Sequence, residues 1–150
     1  MPFDRLVGTV DEWAGRAGRS DVYAQIGPTS LVPRHVAWTH HLTPGEFRER
    51  VDEATLVIAH AGMGSILTSL ESGTPLLVFP RRARFRETRN DHQVATARWL
   101  DEQRKALVAW DEQELVSTLD GLDRLEPPAR ISPWASPPLL RAIRDFIEDQ

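Results

Sequence analysis

The residues best suited to chemistry lie between positions 60 and 93. His60-Ala61-Gly62-Met63-Gly64-Ser65 follows the apolar run Thr55-Leu56-Val57-Ile58-Ala59. Two glycines let backbone come close to a ligand. A helix opening at Ser65 presents amides that have no internal partner. That helix end carries partial positive charge, which suits a pyrophosphate, and His60 adds a donor at the strand tip. Glu71 lies two turns along the same helix face, about 10 Å on. A carboxylate there can accept hydrogen bonds from sugar hydroxyls beyond a bound phosphate. The plain alternative is a tight strand–helix turn with an exposed glutamate. The combination of His60, Gly62, Gly64, Ser65 and Glu71 in this phase favours the ligand.

A second group follows the next apolar run. Pro80-Arg81-Arg82-Ala83-Arg84-Phe85-Arg86-Glu87-Thr88-Arg89 holds five arginines. A solvated loop is one reading; attraction of an anionic donor, an acidic lipid head group or an acidic partner surface is the other. Arg81, nearest the strand end, is the best candidate to reach a ligand. Asn90-Asp91-His92-Gln93 then opens a helix. Asn90 or Asp91 is expected to cap it, which puts His92 and Gln93 in its first turn beside the same crevice. Their neutral donors and acceptors suit sugar hydroxyls. No carboxylate pattern accompanies His60 and His92, so no metal site is expected. The adjacent pair His40-His41 points in different directions and supports no site.

These residues need a scaffold, and the pattern of elements supplies one. Apolar positions at Phe3, Leu6, Val7, Val10, Trp13 and Ala14 predict an amphipathic helix. Short apolar runs at Asp21–Gly27, His35–His40, Thr55–Ala59, Leu76–Phe79 and Ala106–Trp110 predict strands. Helices are expected over Thr43–Ala54, with a Thr-Pro-Gly-Glu start, Met63–Ser72, Asp91–Gln103, Asp111–Leu122 and Leu139–Glu148. Leu67 and Leu70 are expected to pack inward. The proline-rich stretch 126–138 is expected to be irregular. Apolar strands alternating with helices indicate a doubly wound parallel α/β sheet, buried on both faces. Ligands of such sheets bind beyond the carboxyl ends of the strands, where both residue groups fall.

Composition is that of an ordinary globular domain. The chain has 150 residues, 41% hydrophobic and 27% charged, enough for one domain over 1–150. A net charge of −4 gives no global signal for nucleic acid. With no cysteine, the chain carries neither a disulfide nor a cysteine-ligated zinc. No apolar run approaches the ~18 residues of a spanning helix, and Met1-Pro2-Phe3-Asp4-Arg5 lacks the apolar core of a signal peptide. The expected setting is cytoplasmic, with any membrane reached through a surface or a partner.

Val57-Ile58-Ala59-His60-Ala61-Gly62-Met63-Gly64-Ser65-Ile66-Leu67, then Leu70-Glu71-Ser72-Gly73-Thr74-Pro75-Leu76, Pro80-Arg81 and Glu87 through Gln93 resemble the glycosyltransferase family 28 C-terminal domain. The likeness is to its small single-domain members, which are subunits of two-part transferases of lipid-linked oligosaccharide or exopolysaccharide synthesis. Phe3-Asp4-Arg5-Leu6 and Gln25-Ile26-Gly27 extend it over nearly the whole chain. The resemblance implies the Rossmann-like half of the GT-B fold and UDP-sugar as donor substrate, with no metal or other cofactor. It implies that His60, Gly62, Gly64 and Ser65 line the diphosphate, Glu71 takes the ribose, and His92 and Gln93 contact the donor sugar. It also implies a separate, membrane-associated partner that carries the acceptor site, and so a peripheral place at the cytoplasmic face of a membrane. A non-catalytic subunit that enhances a partner transferase is the alternative. Relatives place a short central strand ahead of the Phe3 helix, where this chain has only Met1-Pro2. The expectation is a sheet lacking its first strand, through a start assigned too late or a shortened chain.

Overall fold

Local signals become elements close to where their spacing predicts them. The computed structural model describes residues 1–122 and 137–148. In order they form α1 (Asp4–Ala17), β1 (Tyr23–Gln25), β2 (Ala37–Thr39), α2 (Pro44–Glu53), β3 (Val57–Ala59), α3 (Met63–Ser72), β4 (Leu76–Val78), α4 (His92–Glu102), β5 (Leu107–Val108), α5 (Glu112–Asp120) and α6 (Pro137–Glu148). The predicted start of α2 is present in full. Thr43 Oγ1 accepts from Glu46 N, the Glu46 carboxylate accepts from Thr43 N, and Pro44 stands in the first turn, where its missing N–H costs nothing. The same logic corrects the end of the irregular stretch. Pro137 and Pro138 open α6 rather than precede it, while 126–136 lies outside the described residues.

Every strand pairing is parallel. β1 pairs with β2, and β3, β4 and β5 form a second sheet in that order. β4 is the best covered: Leu76, Leu77, Val78 and the following Phe79 have at most 1% exposure. Strand alternation sends them two ways. Leu77 and Phe79 join Phe3 at the N-cap of α1, Val10 and Trp13 within it, and Leu115 and Leu119 of α5. Leu76 and Val78 join Ile66 and Leu70 of α3, Ala97 and Leu100 of α4, and Ile143 of α6. Leu70 and Leu67 do pack inward, Leu70 fully and Leu67 partly. A buried two-faced strand between two helical layers is the doubly wound arrangement.

One expectation needs correction. A continuous apolar run predicts a strand buried on both faces, yet Tyr23 and Gln25 of β1 are exposed and Val57 and Ile58 of β3 are only half-buried. The sheets do not meet. No pairing joins β1 to β3 among the described residues, so both strands keep an open edge that β4 does not have.

Long-range polar contacts hold the layers in place. The Asp11 carboxylate on α1 accepts from the backbone N–H of Arg34, His35 and Val36 and so anchors the entry to β2. Burial alone would raise its pKa; those amides outweigh burial and leave it lowered. The Trp13 indole donates to Asp120 at 2.9 Å and ties α1 to α5. At the other end of α1, Arg5 forks onto Glu87 with contacts of 2.7 and 2.9 Å. Both side chains are nearly buried, at 12% and 8% exposure.

That pair is a structural test point. Glu87→Gln removes the buried partner of Arg5 and leaves it the half-exposed Glu112 at 3.6 Å, so the unfolding free energy is expected to fall by about 2–4 kcal/mol, toward the lower end for a broken buried pair. Arg5→Met combined with Glu87→Leu should recover much of the loss, because no buried charge is left over. Urea denaturation of both variants reads this. A single-variant loss under about 1 kcal/mol, the range of surface pairs, would show that the fork does not clamp α1 to the loop after β4.

Candidate functional site

The site lies at the carboxyl ends of β3 and β4, where strand tips, a helix start and a basic loop converge. The chain leaves β3 at Ala59, turns through a Gly62 N–H to His60 carbonyl bond of 2.8 Å, and enters α3 at Met63. Gly62 is the N-cap and has no side chain to cap with, so the first amides of α3 are not satisfied by a capping side chain. Ser65 is therefore the third residue of the helix, not its opening residue. The two glycines differ in role. A Cβ on Gly62 would run into the His60 ring, with Nδ1 2.7 Å away, whereas a Cβ on Gly64 would meet nothing within 4 Å. Gly62 makes room for His60, and Gly64 keeps the helix end open to the outside.

His60 stands edge-on to Phe3 at 6.5 Å between ring centroids. Its pKa is pushed down to about 4, first by burial and then by the charge of Arg81, with a hydrogen bond between the ring and the Gln93 side chain opposing. The ring is therefore neutral at neutral pH, and its Nδ1 is buried without a hydrogen-bond partner. Gln93, itself buried, also accepts from the backbone N–H of Arg81 at 3.2 Å. One amide side chain thus couples the tip of β3 to the tip of β4. The Arg81 guanidinium stacks over the Phe3 ring at 5.1 Å and donates to the Glu87 carbonyl at 3.4 Å. Burial lowers its pKa and Glu87 opposes this; arginine remains charged.

The five arginines divide. Arg81 and Arg82 turn inward and are half-buried, with Arg82 donating to the Trp110 carbonyl at 2.7 Å. Arg84, Arg86 and Arg89 are exposed. Between them a single 3-10 turn, Ala83–Phe85, closes onto Arg86 in the left-handed region. Glu87 holds this loop from inside by accepting from the Arg82 backbone as well as from Arg5.

Asp91 stands at the N-cap of α4 but makes no side-chain cap hydrogen bond, so of the two residues expected to cap the helix only Asn90 reaches one of its amides. Asn90 Oδ1 accepts from the His92 backbone at 3.3 Å and contacts the His92 ring, while Asp91 accepts from Ala83 and ties the 3-10 turn to the helix start. His92 lies near enough for its charge to act on His60. His60, Ser65 and Arg81 share one cleft wall, with Gln93 behind them and His92 and Asn90 at the margin. Glu71 stands apart. It is exposed on α3, and its Oε2 accepts from Arg48 of α2 at 2.9 Å, leaving Oε1 free of a protein partner among the described residues. No cluster of three metal-ligating side chains occurs among the described residues. Three positions outside the predicted set organise this site: Phe3, Arg5 and Glu87. The apolar periodicity of α1 marked Phe3 as core, but nothing local pairs Arg5 with a glutamate 82 residues away.

Comparisons with known proteins bear on the family and the fold. Residues 7–125 match the glycosyltransferase family 28 C-terminal domain. The UDP-N-acetylglucosamine transferase subunit ALG13 of Mus musculus is 35% identical over 89 residues, and that of Homo sapiens is equally so. Each match covers 55% of this chain and only 7% of the relative. Among solved structures, the glycotransferase of kitacinnamycin superposes over 95% of this chain and 34% of its own, at 18% identity and a TM-score of 0.54. The spinosyn forosaminyltransferase SpnP does so over 96% and 34%, at 17% identity and a TM-score of 0.56. These two likenesses speak to fold alone. They identify the doubly wound sheet as the Rossmann-like half of a GT-B architecture.

The state of His60 can be checked without a ligand. Its pKa is 6.5 when unfolded and about 4 when folded. Between those values the unfolded chain binds more protons, so stability falls as pH drops from 6.5 to 4. At ~1.4 kcal/mol per pKa unit, this contributes about 2–3 kcal/mol. His60→Gln removes the titration, so the stability of the native chain relative to this variant should fall by that amount between pH 7 and pH 4. Parallel pH profiles in chemical denaturation would mean that His60 is not held neutral.

Proposed function

The chain belongs to the glycosyltransferase family 28 C-terminal domain family, and from that membership we propose that it is the donor-binding half of a two-part glycosyltransferase. It takes a UDP-sugar and passes a hexosyl or N-acetylhexosaminyl unit to a lipid-linked or growing glycan of exopolysaccharide type. The observation that carries this reading is the convergence of an uncapped helix start, neutral His60 and charged Arg81 on one cleft wall.

In this reading the diphosphate lies on the first amides of α3. Gly62 and Gly64 keep side chains out of its way, and the Ser65 hydroxyl and His60 donate to it. Because His60 is neutral, the positive potential comes from the helix end and Arg81. Glu71 offers its free Oε1 to the ribose hydroxyls while Arg48 steadies Oε2. Asn90 and His92, at the margin of the cleft, face the donor sugar, while the buried Gln93 acts from behind by holding His60 and the Arg81 backbone. The acceptor oxygen attacks the anomeric carbon, the bond to the β-phosphate oxygen breaks, and UDP departs. Catalysis is mostly positioning and stabilisation of that departing charge, with no metal or other cofactor in the scheme. The general base is assigned to no residue of this chain; it sits with the acceptor site.

The acceptor site belongs to a separate, membrane-associated subunit. Two considerations support this: the ALG13 relatives are themselves named as a subunit, and among the described residues no helix is long and apolar enough to cross a membrane. The pair would work at the cytoplasmic face, this chain peripherally.

Calorimetric titration with UDP and UDP-sugars, with and without the partner, tests the reading; no binding of UDP in either setting overturns it. Glu71→Ala should weaken UDP binding by about 1–3 kcal/mol, the cost of a lost polar contact. Gly64→Ala, whose Cβ has open space, should leave the melting temperature nearly unchanged and still reduce affinity. Unchanged affinity in both variants removes the assigned pose.

A further inference from the structure

The site uses two of the five arginines after β4 and leaves three on the surface. Arg84, Arg86 and Arg89 are exposed, and none of them pairs with a carboxylate among the described residues. The one acid among them, Glu87, is buried and turned inward to Arg5. Asp91, the next acid along, accepts from the Ala83 backbone. Phe85 stands between the arginines and is 46% exposed. It is the one large apolar side chain that this loop presents to the outside; Met1, Tyr23 and Val32, also exposed, lie on other parts of the chain. The fold holds this face outward. The 3-10 turn is tied to the start of α4 through Asp91, and the Arg86 N–H returns to the Ala83 carbonyl at 2.9 Å. The Arg5 guanidinium, fixed by Glu87, props the Phe85 ring from 4.8 Å, and that of Arg84 lies 4.6 Å from the ring centre.

A fixed turn with one projecting ring among three unpaired guanidinium groups suits one kind of surface. A stable protein interface needs an apolar centre of several side chains and about 800 Å² on each partner. This loop offers a single ring. A small anion in the cleft meets Arg81, which is part of the cleft wall; Arg84, Arg86 and Arg89 are not. An anionic lipid surface asks for no pocket. It presents many phosphates in one plane, which guanidinium groups bind in forked pairs. Its headgroup layer also admits one aromatic ring flanked by cations. The attraction has to be local, because the chain as a whole carries a charge of −4.

We infer that the turn from Ala83 to Arg89 docks on an anionic membrane surface, with Phe85 entering the headgroup layer and Arg84, Arg86 and Arg89 pairing with lipid phosphates. Arg81, at the root of the same loop, belongs to the cleft wall, so the docked chain holds the mouth of its cleft beside the lipid. The contact is this chain's own, apart from any that a partner makes. It is also weak and reversible, since one ring and three charges fall short of a stable anchor. The inference rests on the loop and stands or falls independently of the donor reading.

Cosedimentation of the full chain with vesicles tests this at low salt. One set is phosphatidylglycerol and phosphatidylcholine in equal parts, the other phosphatidylcholine alone. The chain should pellet with the first and stay in solution with the second, and added salt should release it. Arg84→Gln, Arg86→Asn and Arg89→Gln together should lower partitioning about a hundredfold, the effect of three charges near an anionic surface. Asparagine is chosen at 86 because it tolerates the left-handed backbone there. Phe85→Ser should lower partitioning roughly tenfold, and Phe85→Trp should preserve it. The melting temperature and the UDP affinity of the triple variant should match those of the native chain, so a failure of the donor reading shows in the UDP titration and leaves the vesicle result standing. No pelleting with either set, or equal pelleting by the triple variant, overturns the inference. Phe85→Ser pelleting as the native chain does also overturns it; with polyglutamate releasing both, the loop is a surface for an acidic protein instead.

Discussion

The fork of Arg5 onto Glu87 is the contact on which the site depends. Arg5 stands in the first turn of α1 and Glu87 in the loop after β4, and the guanidinium also lies 4.2 Å over the Phe79 ring. A buried ion pair contributes little net stability against an apolar substitute. What it contributes is position. With Glu87 turned inward to meet Arg5, its second oxygen holds the Arg82 backbone and its carbonyl receives Arg81. The start of α1 and the tip of β4 thereby become one unit. Phe3, stacked on Phe79 at 5.8 Å, forms the apolar wall shared by His60 and Arg81.

That unit explains the electrostatics of the cleft. Burial and the neighbouring guanidinium both act against a proton on His60. Two positive groups side by side in this cleft would repel each other. The fold resolves this by leaving one charge, Arg81, which Glu87 partly balances, and by using the imidazole as a neutral hydrogen-bonding group. A helix start without a capping side chain adds field without a titratable group. The cleft thus carries the field of the helix start and of Arg81 at little repulsive cost.

The divided sheet follows from the same core. β4 has partners on both edges and helices on both faces, and it is the most thoroughly buried strand. β3 has equally apolar residues but one open edge, and it is half-exposed. Hydrophobicity alone does not decide burial; the number of covered sides does. The two apolar clusters, one over α1 and α5 and one over α3, α4 and α6, hold the second sheet firmly. β1 and β2 are held to α1 through Asp11, which grips the loop entering β2, and through Val22, Ala24 and Val36, which pack with the first cluster.

The sequence by itself determined the local features. Apolar spacing marked the helices and strands, Thr43 through Glu46 contained a complete capping box, and the turn from His60 to Ser65 showed an open helix start. These rest on contacts a few residues apart, so composition and period suffice to read them. The parallel doubly wound class was also legible, because continuous apolar strands alternating with helices have few other solutions. The tertiary structure alone decided the rest. It chose which arginines turn inward, since the partner of Arg5 is 82 residues away. It assigned Glu71 to Arg48 across two helices, and it gave Gly62 the task of clearing the His60 ring. It also showed that β1 is exposed. Each of these depends on which surfaces meet in space, and no local spacing encodes that meeting.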